Sequence, residues 1–338
     1  MVGNMNEQQG KGQQEGVFPA GVELEDVDCP HGCSRDDEPI EKTSDLLHGI
    51  SGQFHVVRCR HCSLVRTNPR PPAATIGAYY PADYAPYMAG AASPRKPQKW
   101  RHRAKHRISR LLGRDVRRLP DMACGHMLEI GCASGAYLQE MRAKGWSVEG
   151  IEYSEEAAEK GRQMGLDIQV GSLESATAPL RTPDLVTAWM VLEHLHHPLP
   201  ALRKIRQWVG DDAYFVGVVP DVEAFDRKLF GPIWFPWQLP THLYHYSQRS
   251  LQSLFQAAGW DLLAVRWQPN ERNFLISLER WLSAQQQPRA LKFVHWLMTA
   301  RSARKFRRWV GWGLGLTRQS GRMEFWARPS RQADKATL

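Results

Sequence analysis

Between residues 121 and 268, short apolar runs alternate with stretches whose apolar positions recur every three or four residues. The runs suit buried strands, and the periodic stretches suit helices covering them. The runs are His126–Ile130, Ser147–Glu152, Ile168–Val170, a fourth beginning at Asp184, Tyr214–Val219 and Trp260–Trp267, with Met323–Ala327 the seventh. Tyr137, Leu138 and Met141 share a helical face that stops at Lys144-Gly145. Ser247 reads as an N-cap, Leu251, Leu254 and Phe255 as the face behind it, and Gly259 as its stop. Strands alternating with helices predict an α/β fold on a parallel sheet.

The rest of the chain is patterned differently. Residues 1–20 are polar and rich in Gln and Gly, which predicts a disordered tail with no apolar core for a secretory signal. Residues 21–70 hold paired cysteines, and residues 71–120 read as a Pro- and Tyr-rich linker ending in a basic helix. Residues 121–330 form the α/β domain, with residues 269–318 inserted between its last two strands. Of 338 residues, 42% are hydrophobic and 23% charged, close to the globular norm. No apolar run reaches the ~18 residues that a membrane helix needs. These features predict a cytoplasmic chain with reduced thiols.

The formal charge of +9 is unevenly spread. Residues 95–118 hold eleven basic residues and one acid, and residues 269–338 hold fourteen and four, so two basic segments sit on an acidic body. Such runs serve as solvated helix faces or as contacts for something anionic: nucleic acid, a phosphorylated substrate or a membrane surface. Within the insertion, Leu291–Met298 and Ala303–Trp312 set Trp and Leu beside Arg. That pattern suits peripheral membrane contact, and also a helix packing on its own domain or on a second copy.

Cys29-Pro-His-Gly-Cys33 and Cys59-Arg-His-Cys62 each place two thiols on a tight turn. Two such turns complete a tetrahedral zinc site of Cys29, Cys33, Cys59 and Cys62, with His31 and His61 as substitutes for a sulfur. Four sulfurs leave no open position, so the zinc is expected to be structural.

His126–Ile130 runs into Gly131-Cys-Ala-Ser-Gly135, and Ser147–Glu152 ends in an acid. Glycines at a strand-to-helix turn let a ligand approach the backbone, and an acid closing the next strand can accept from both hydroxyls of a ribose. The pair points to an adenosine-type ligand.

Glu129-Ile-Gly-Cys-Ala-Ser-Gly135, Glu152-Tyr-Ser154 and Asp184-Leu-Val-Thr-Ala-Trp-Met-Val-Leu-Glu-His194 resemble the successive motifs of class I S-adenosylmethionine-dependent methyltransferases. Val191-Leu-Glu-His194, Pro240-Thr-His242-Leu and Ser247 resemble the branch of quinone O-methyltransferases and sugar C-methyltransferases. The cysteine pairs, Thr67-Asn-Pro-Arg70 and Ala78-Tyr-Tyr-Pro81 resemble the zinc-binding domain fused to the latter. The resemblance implies a seven-stranded Rossmann-like methyltransferase sheet with a small N-terminal zinc-binding domain.

It also implies roles. Gly131, Ala133 and Gly135 pass beneath the methionine part of S-adenosylmethionine, with Glu129 beside it. Glu152 takes the ribose hydroxyls, next to Tyr153. Ser172 and Leu173 edge the adenine, Ser172 standing where the family usually has Asp, and Ala133 where a third glycine is common. Methyl transfer often needs a base, and the candidates are His194 with Glu193, and His242 and His245 in the following cluster. His196 and His197 read as caps of their loop. The aromatic run Phe230–Trp237 reads as a small core lid, or as Trp faces stacking on an acceptor. The expected acceptor is a nucleotide- or lipid-linked saccharide. Alternatives are a quinone or lipid at a membrane, or an RNA-modifying, zinc-ribbon nucleic-acid-binding protein. Against the last, the cysteine segment lacks interleaved aromatic and basic residues for stacking bases.

Overall fold

The computed structural model describes residues 18–80 and 117–331. Most of the expected tail, and the linker from residue 81 with nearly all of the basic 95–118 run, lie outside the described residues.

The cysteine-bearing segment is an antiparallel meander of β1 (Asp37–Ser44), β2 (Gln53–Cys59) and β3 (Val65–Thr67). The α/β part begins with β4 (His126–Ile130), α1 (Ala136–Ala143), β5 (Ser147–Glu152), α2 (Glu155–Gln163) and β6 (Asp167–Val170). It continues with β7 (Leu185–Trp189), α3 (Pro198–Trp208), β8 (Tyr214–Pro220), α4 (Phe225–Phe230), β9 (Tyr244–His245) and α5 (Gln248–Ala257). After β10 (Trp260–Trp267), the insertion folds as α6 (Arg272–Ala284), α7 (Pro288–Thr299) and α8 (Arg304–Leu316) before β11 (Arg322–Pro329).

Seven strands lie in the order β10-β11-β8-β7-β4-β5-β6. The five from β4 to β8 are parallel, and β11 enters antiparallel between β8 and β10. The sheet is thus mixed at one edge, because β11 returns directly after the helical insertion instead of by a crossover. All five residues of β4 are buried, the polar His126 and Glu129 together with Met127, Leu128 and Ile130, as in a central strand. Strand order reverses at β4, so the carboxyl ends of β4, β5 and β7 open a crevice there. Phe215, Phe255, Trp260 and Phe325 fill the layer under α5, with the ring pairs 4.9–5.7 Å apart. Ser247 caps α5 as expected, closing a reciprocal pair with Ser250.

The meander does not stand apart. β9 pairs antiparallel with β3, Val65 against His245 and Arg66 against Tyr244, and completes a four-stranded sheet, β1-β2-β3-β9. Arg66 is buried and forms a bidentate pair with Asp37 at 2.8 and 2.6 Å. The aromatic run Phe230–Trp237 packs behind this sheet. Trp234 and Trp237 are buried edge to face, in one cluster with Phe54 and Val56, so neither presents an open ring to an acceptor.

Candidate active site

A cleft of about 380 Å³ opens at the carboxyl ends of β4, β5 and β7. On one side it is lined by Gly131 and Ala133 after β4, Glu152 and Tyr153 at the end of β5, and Ser172 and Leu173 after β6. His194 and His242 face it from the other side, with Ile76, Tyr80 and Gln238. His196 and His197 also line it, and the His196 ring nitrogen reaches the Pro71 carbonyl at 3.2 Å.

The turn after β4 is held by its neighbours. Gly131 has φ +66°, and a Cβ there would come within 2.6 Å of Val191 Cγ2. Ala133 has φ +48°, a conformation that glycine adopts without strain. Its N–H donates to Glu152 Oε2 at 2.7 Å, while the Ser154 N–H donates to Oε1 at 2.8 Å. Burial raises the Glu152 carboxyl, and these amides pull it back. The two motifs are therefore one hydrogen-bonded unit. Gly135, by contrast, does not line the cleft: its missing side chain leaves room for Leu166, whose Cδ1 would lie 2.2 Å from a Cβ. Glu129 lies below the turn, buried, with Oε2 unpartnered and its carboxyl pushed up to about 8 by burial.

The four catalytic candidates separate into two pairs. His194 Nδ1 lies 2.8 Å from the Thr241 carbonyl oxygen and 3.0 Å from the Tyr80 hydroxyl. A carbonyl can only accept, so Nδ1 carries the proton and Nε2 keeps its lone pair. Burial pushes this imidazole down to about 4, so it is neutral near pH 7. His242 is set the same way, its Nδ1 donating to Pro236 O at 2.8 Å, and the two rings meet edge to face at 4.7 Å. Burial, then the neighbouring His194 and His245, hold His242 well below the usual range. Glu193 and His245 do not line the cleft. Glu193 is fully buried with both carboxylate oxygens unpartnered, pushed up to about 8 by burial against the pull of Arg322. His245 lies on β9 under Trp237, with Nε2 at 3.2 Å from Thr67 Oγ1. Thr67 Oγ1 also donates to the His242 carbonyl at 2.7 Å, so β3 braces the histidine segment from behind.

Sequence reading assigned no part to Tyr80, Gln238 or Ile76. Tyr80 belongs to the Ala78-Tyr-Tyr-Pro81 segment, and the adjacent tyrosines are its signal: Tyr79 is buried and Tyr80 turns to the cleft. Gln238 follows the aromatic run in a left-handed conformation, φ +39°.

Residues 98–265 match a family model described as a methyltransferase domain. That stretch is a methyltransferase domain. No curated protein matches the sequence. Among solved structures, a chain from the complex of the Haloferax volcanii Trm112 methyltransferase activator with a methyltransferase is 15% identical, with TM-score 0.45, covering 68% of this chain and 90% of that one. An S-adenosylmethionine-dependent methyltransferase from Mesorhizobium loti is 14% identical, with TM-score 0.41 and coverage of 67% and 97%. The cyclopropane synthase MmaA2 from Mycobacterium tuberculosis is 13% identical, with TM-score 0.41 and coverage of 70% and 87%.

The methyltransferase cleft has the chemistry its cofactor requires. A side-chain-free Gly131 and a cleft-facing Glu152 suit a hydroxyl-bearing nucleoside, while Glu129, with its orphaned buried oxygen, lies behind the turn and does not itself line the cleft. A second group of ligand types lies at the N-terminal sheet. Cys29, Cys33, Cys59 and Cys62 are free thiols whose sulfurs all lie within 4.8 Å of one another, with Cys29 and Cys62 at 3.4 Å. Neither His31 nor His61 joins that group; the His61 ring bonds Ser34 Oγ at 3.0 Å.

Proposed function

We propose that the methyltransferase acts on a hydroxyl-bearing small molecule, a nucleotide- or lipid-linked saccharide, with His194 as the base. The observation that carries this reading is the fixed tautomer of His194: its Nδ1–H is committed to Thr241, so Nε2 holds the lone pair, and the residue lines the same cleft as Gly131 and Glu152. S-adenosylmethionine supplies the electrophilic methyl group. The chain orients the acceptor and removes its proton. Tyr80, Gln238, His196 and His242 add hydrogen-bonding groups to the acceptor side, which suits a polyol. Glu193 stands close behind: one of its oxygens and a nitrogen from each of His194 and His242 lie within 4.8 Å of one another.

In this reading Glu129 and Gly131 hold the methionine part, Glu152 the ribose, and Ser172 and Leu173 the adenine edge. The four cysteines hold one structural zinc. Their spacing supports this, because sulfurs on a common zinc at ~2.3 Å stand just under 4 Å apart.

The test is turnover on a panel of nucleotide sugars, lipid-linked sugars and quinols. On the accepted substrate His194→Ala should lower kcat by about a hundredfold, while calorimetry shows unchanged S-adenosylmethionine binding. Equal turnover of the two proteins would remove His194 as the base. Turnover on quinols alone would replace the saccharide.

A further inference from the structure

The helical insertion carries a surface that the methyl-transfer site does not use. Phe293, Trp296, Phe306, Trp309, Trp312 and Leu316 are all exposed, and all lie on α7 and α8. Trp309 is 69% exposed and Leu316 63%. These are side chains that proteins ordinarily withdraw from water, and contiguous patches of them mark contact surfaces.

On α8, Phe306, Trp309, Trp312 and Leu316 recur every three or four residues and so share one side of the helix. The opposite side is the seated one. Gly311 is buried there, and a Cβ on it would come within 2.6 Å of Glu271 Oε2. The helix is thus drawn onto the domain by its glycine face, which turns the aromatic face outward. On α7, Val294 and Leu297 face inward, while Phe293 and Trp296 stack on each other at 5.7 Å on the outside. Charge follows the same surface. Residues 288–316 contain seven Arg and Lys and no Asp or Glu. Arg289, Lys292, Arg301, Arg304, Lys305 and Arg308 are exposed beside the aromatics.

We propose that α7 and α8 form a platform that seats the enzyme on an anionic lipid bilayer. The aromatic rings enter the headgroup boundary, and the cations around them meet lipid phosphates and carboxylates. The platform lies on the bilayer and does not cross it: α8 has 13 residues, and no helix among the described residues is long and apolar enough to span. A second copy of the chain is a poor occupant, because a two-fold contact would set cations against cations with no acid on either helix. A single-stranded nucleic acid could meet the same cations and rings, and the vesicle test below separates it from the bilayer. The platform does not depend on which acceptor the cleft takes. The neighbouring α6, on which α7 packs, reaches toward the cleft: its Ser277 Oγ accepts from the Phe235 N–H at 2.9 Å, three residues before the cleft-lining Gln238.

The test is co-sedimentation of the full chain with vesicles of phosphatidylcholine, with and without phosphatidylserine. The wild type should pellet with the anionic vesicles and less with the zwitterionic ones. A Phe306→Ser, Trp309→Ser variant should bind roughly tenfold or more weakly. An Arg304→Gln, Lys305→Gln, Arg308→Gln variant should lose about a hundredfold and the preference for phosphatidylserine with it. All five side chains are exposed, so melting temperature and S-adenosylmethionine binding should match the wild type. Failure to pellet with anionic vesicles would overturn the proposal. So would undiminished pelleting of the aromatic variant, which would reduce the surface to charge attraction of the kind RNA also meets. A wild-type dimer in light scattering that the aromatic variant dissociates would hand the face to a second copy.

Discussion

Burial acts on His194 in two ways: it strips water from the imidazole, and it leaves the Thr241 carbonyl as the partner that fixes its proton on Nδ1. The first effect lowers the affinity for a second proton, to about 4; the second keeps Nε2 free. A base of this kind is in its active form throughout the neutral range and is lost only on protonation, as pH falls through about 4. kcat/KM should therefore stay flat from about pH 5.5 to 7.5 as far as this residue is concerned, and a limb near 6.5, the value of an ordinary imidazole, would refute the buried base. At the other end of the cleft, Ser172 accepts only through a hydroxyl that is also within 3.2 Å of the Ser175 N–H. Ser172→Asp would offer a charged acceptor to the adenine amino group and should tighten S-adenosylmethionine binding by roughly tenfold, as read by calorimetry. Looser binding would place the adenine elsewhere. The sequence distinguished less well among neighbours. Glu193 and His194 are adjacent and looked alike as candidates, yet the short turn that carries them puts one carboxyl in the interior and one imidazole on the cleft. That outcome depends on what packs behind the turn, namely Tyr246, whose hydroxyl donates to Leu192 O, and the Glu193 carbonyl that accepts from the Leu243 N–H.

At the scale of elements, strands such as β4 and β8 were legible because their own residues bury both faces. So was the cap of α5, where Ser247 and the Leu251, Leu254 and Phe255 face lie within one window. β9 was not legible. Its two residues become a strand only because β3 arrives beside them, and no local pattern encodes a partner so distant in the chain. The antiparallel entry of β11 was missed for a related reason: apolar runs reveal strands and not their direction. The cysteine turns were legible as spacing. Their backbone supports it: the Gly32 N–H donates to Cys29 O, the Ser63 N–H to Cys59 O, and the two turns face each other. Elemental analysis should give about one zinc per chain. Cys59→Ser should lose most of it and lower the melting temperature, because Cys59 is also the last residue of β2. Full zinc retention in that variant would move the site elsewhere.

At the scale of the molecule, the N-terminal segment and the methyltransferase domain share a sheet, a core and a cleft wall. Phe54, Val56 and Tyr79 are covered by Trp234, Trp237 and Leu239, and Arg70 reaches the His196 carbonyl at 3.1 Å. Residues 1–120 expressed alone would leave those apolar faces in water and β3 with an open edge. That fragment should show no protected amide core in hydrogen exchange, even with zinc supplied, whereas the whole chain should; protection of β2 and β3 in the fragment would show the meander to be autonomous. The same shared strand also sets an order of events during synthesis. The partner of Val65 is His245, so the meander cannot reach its final state until residue 245, about 180 residues further along, has left the ribosome. Until then its thiols and aromatic residues wait unprotected, and a cell that loads zinc early would be holding open turns together ahead of the sheet that locks them.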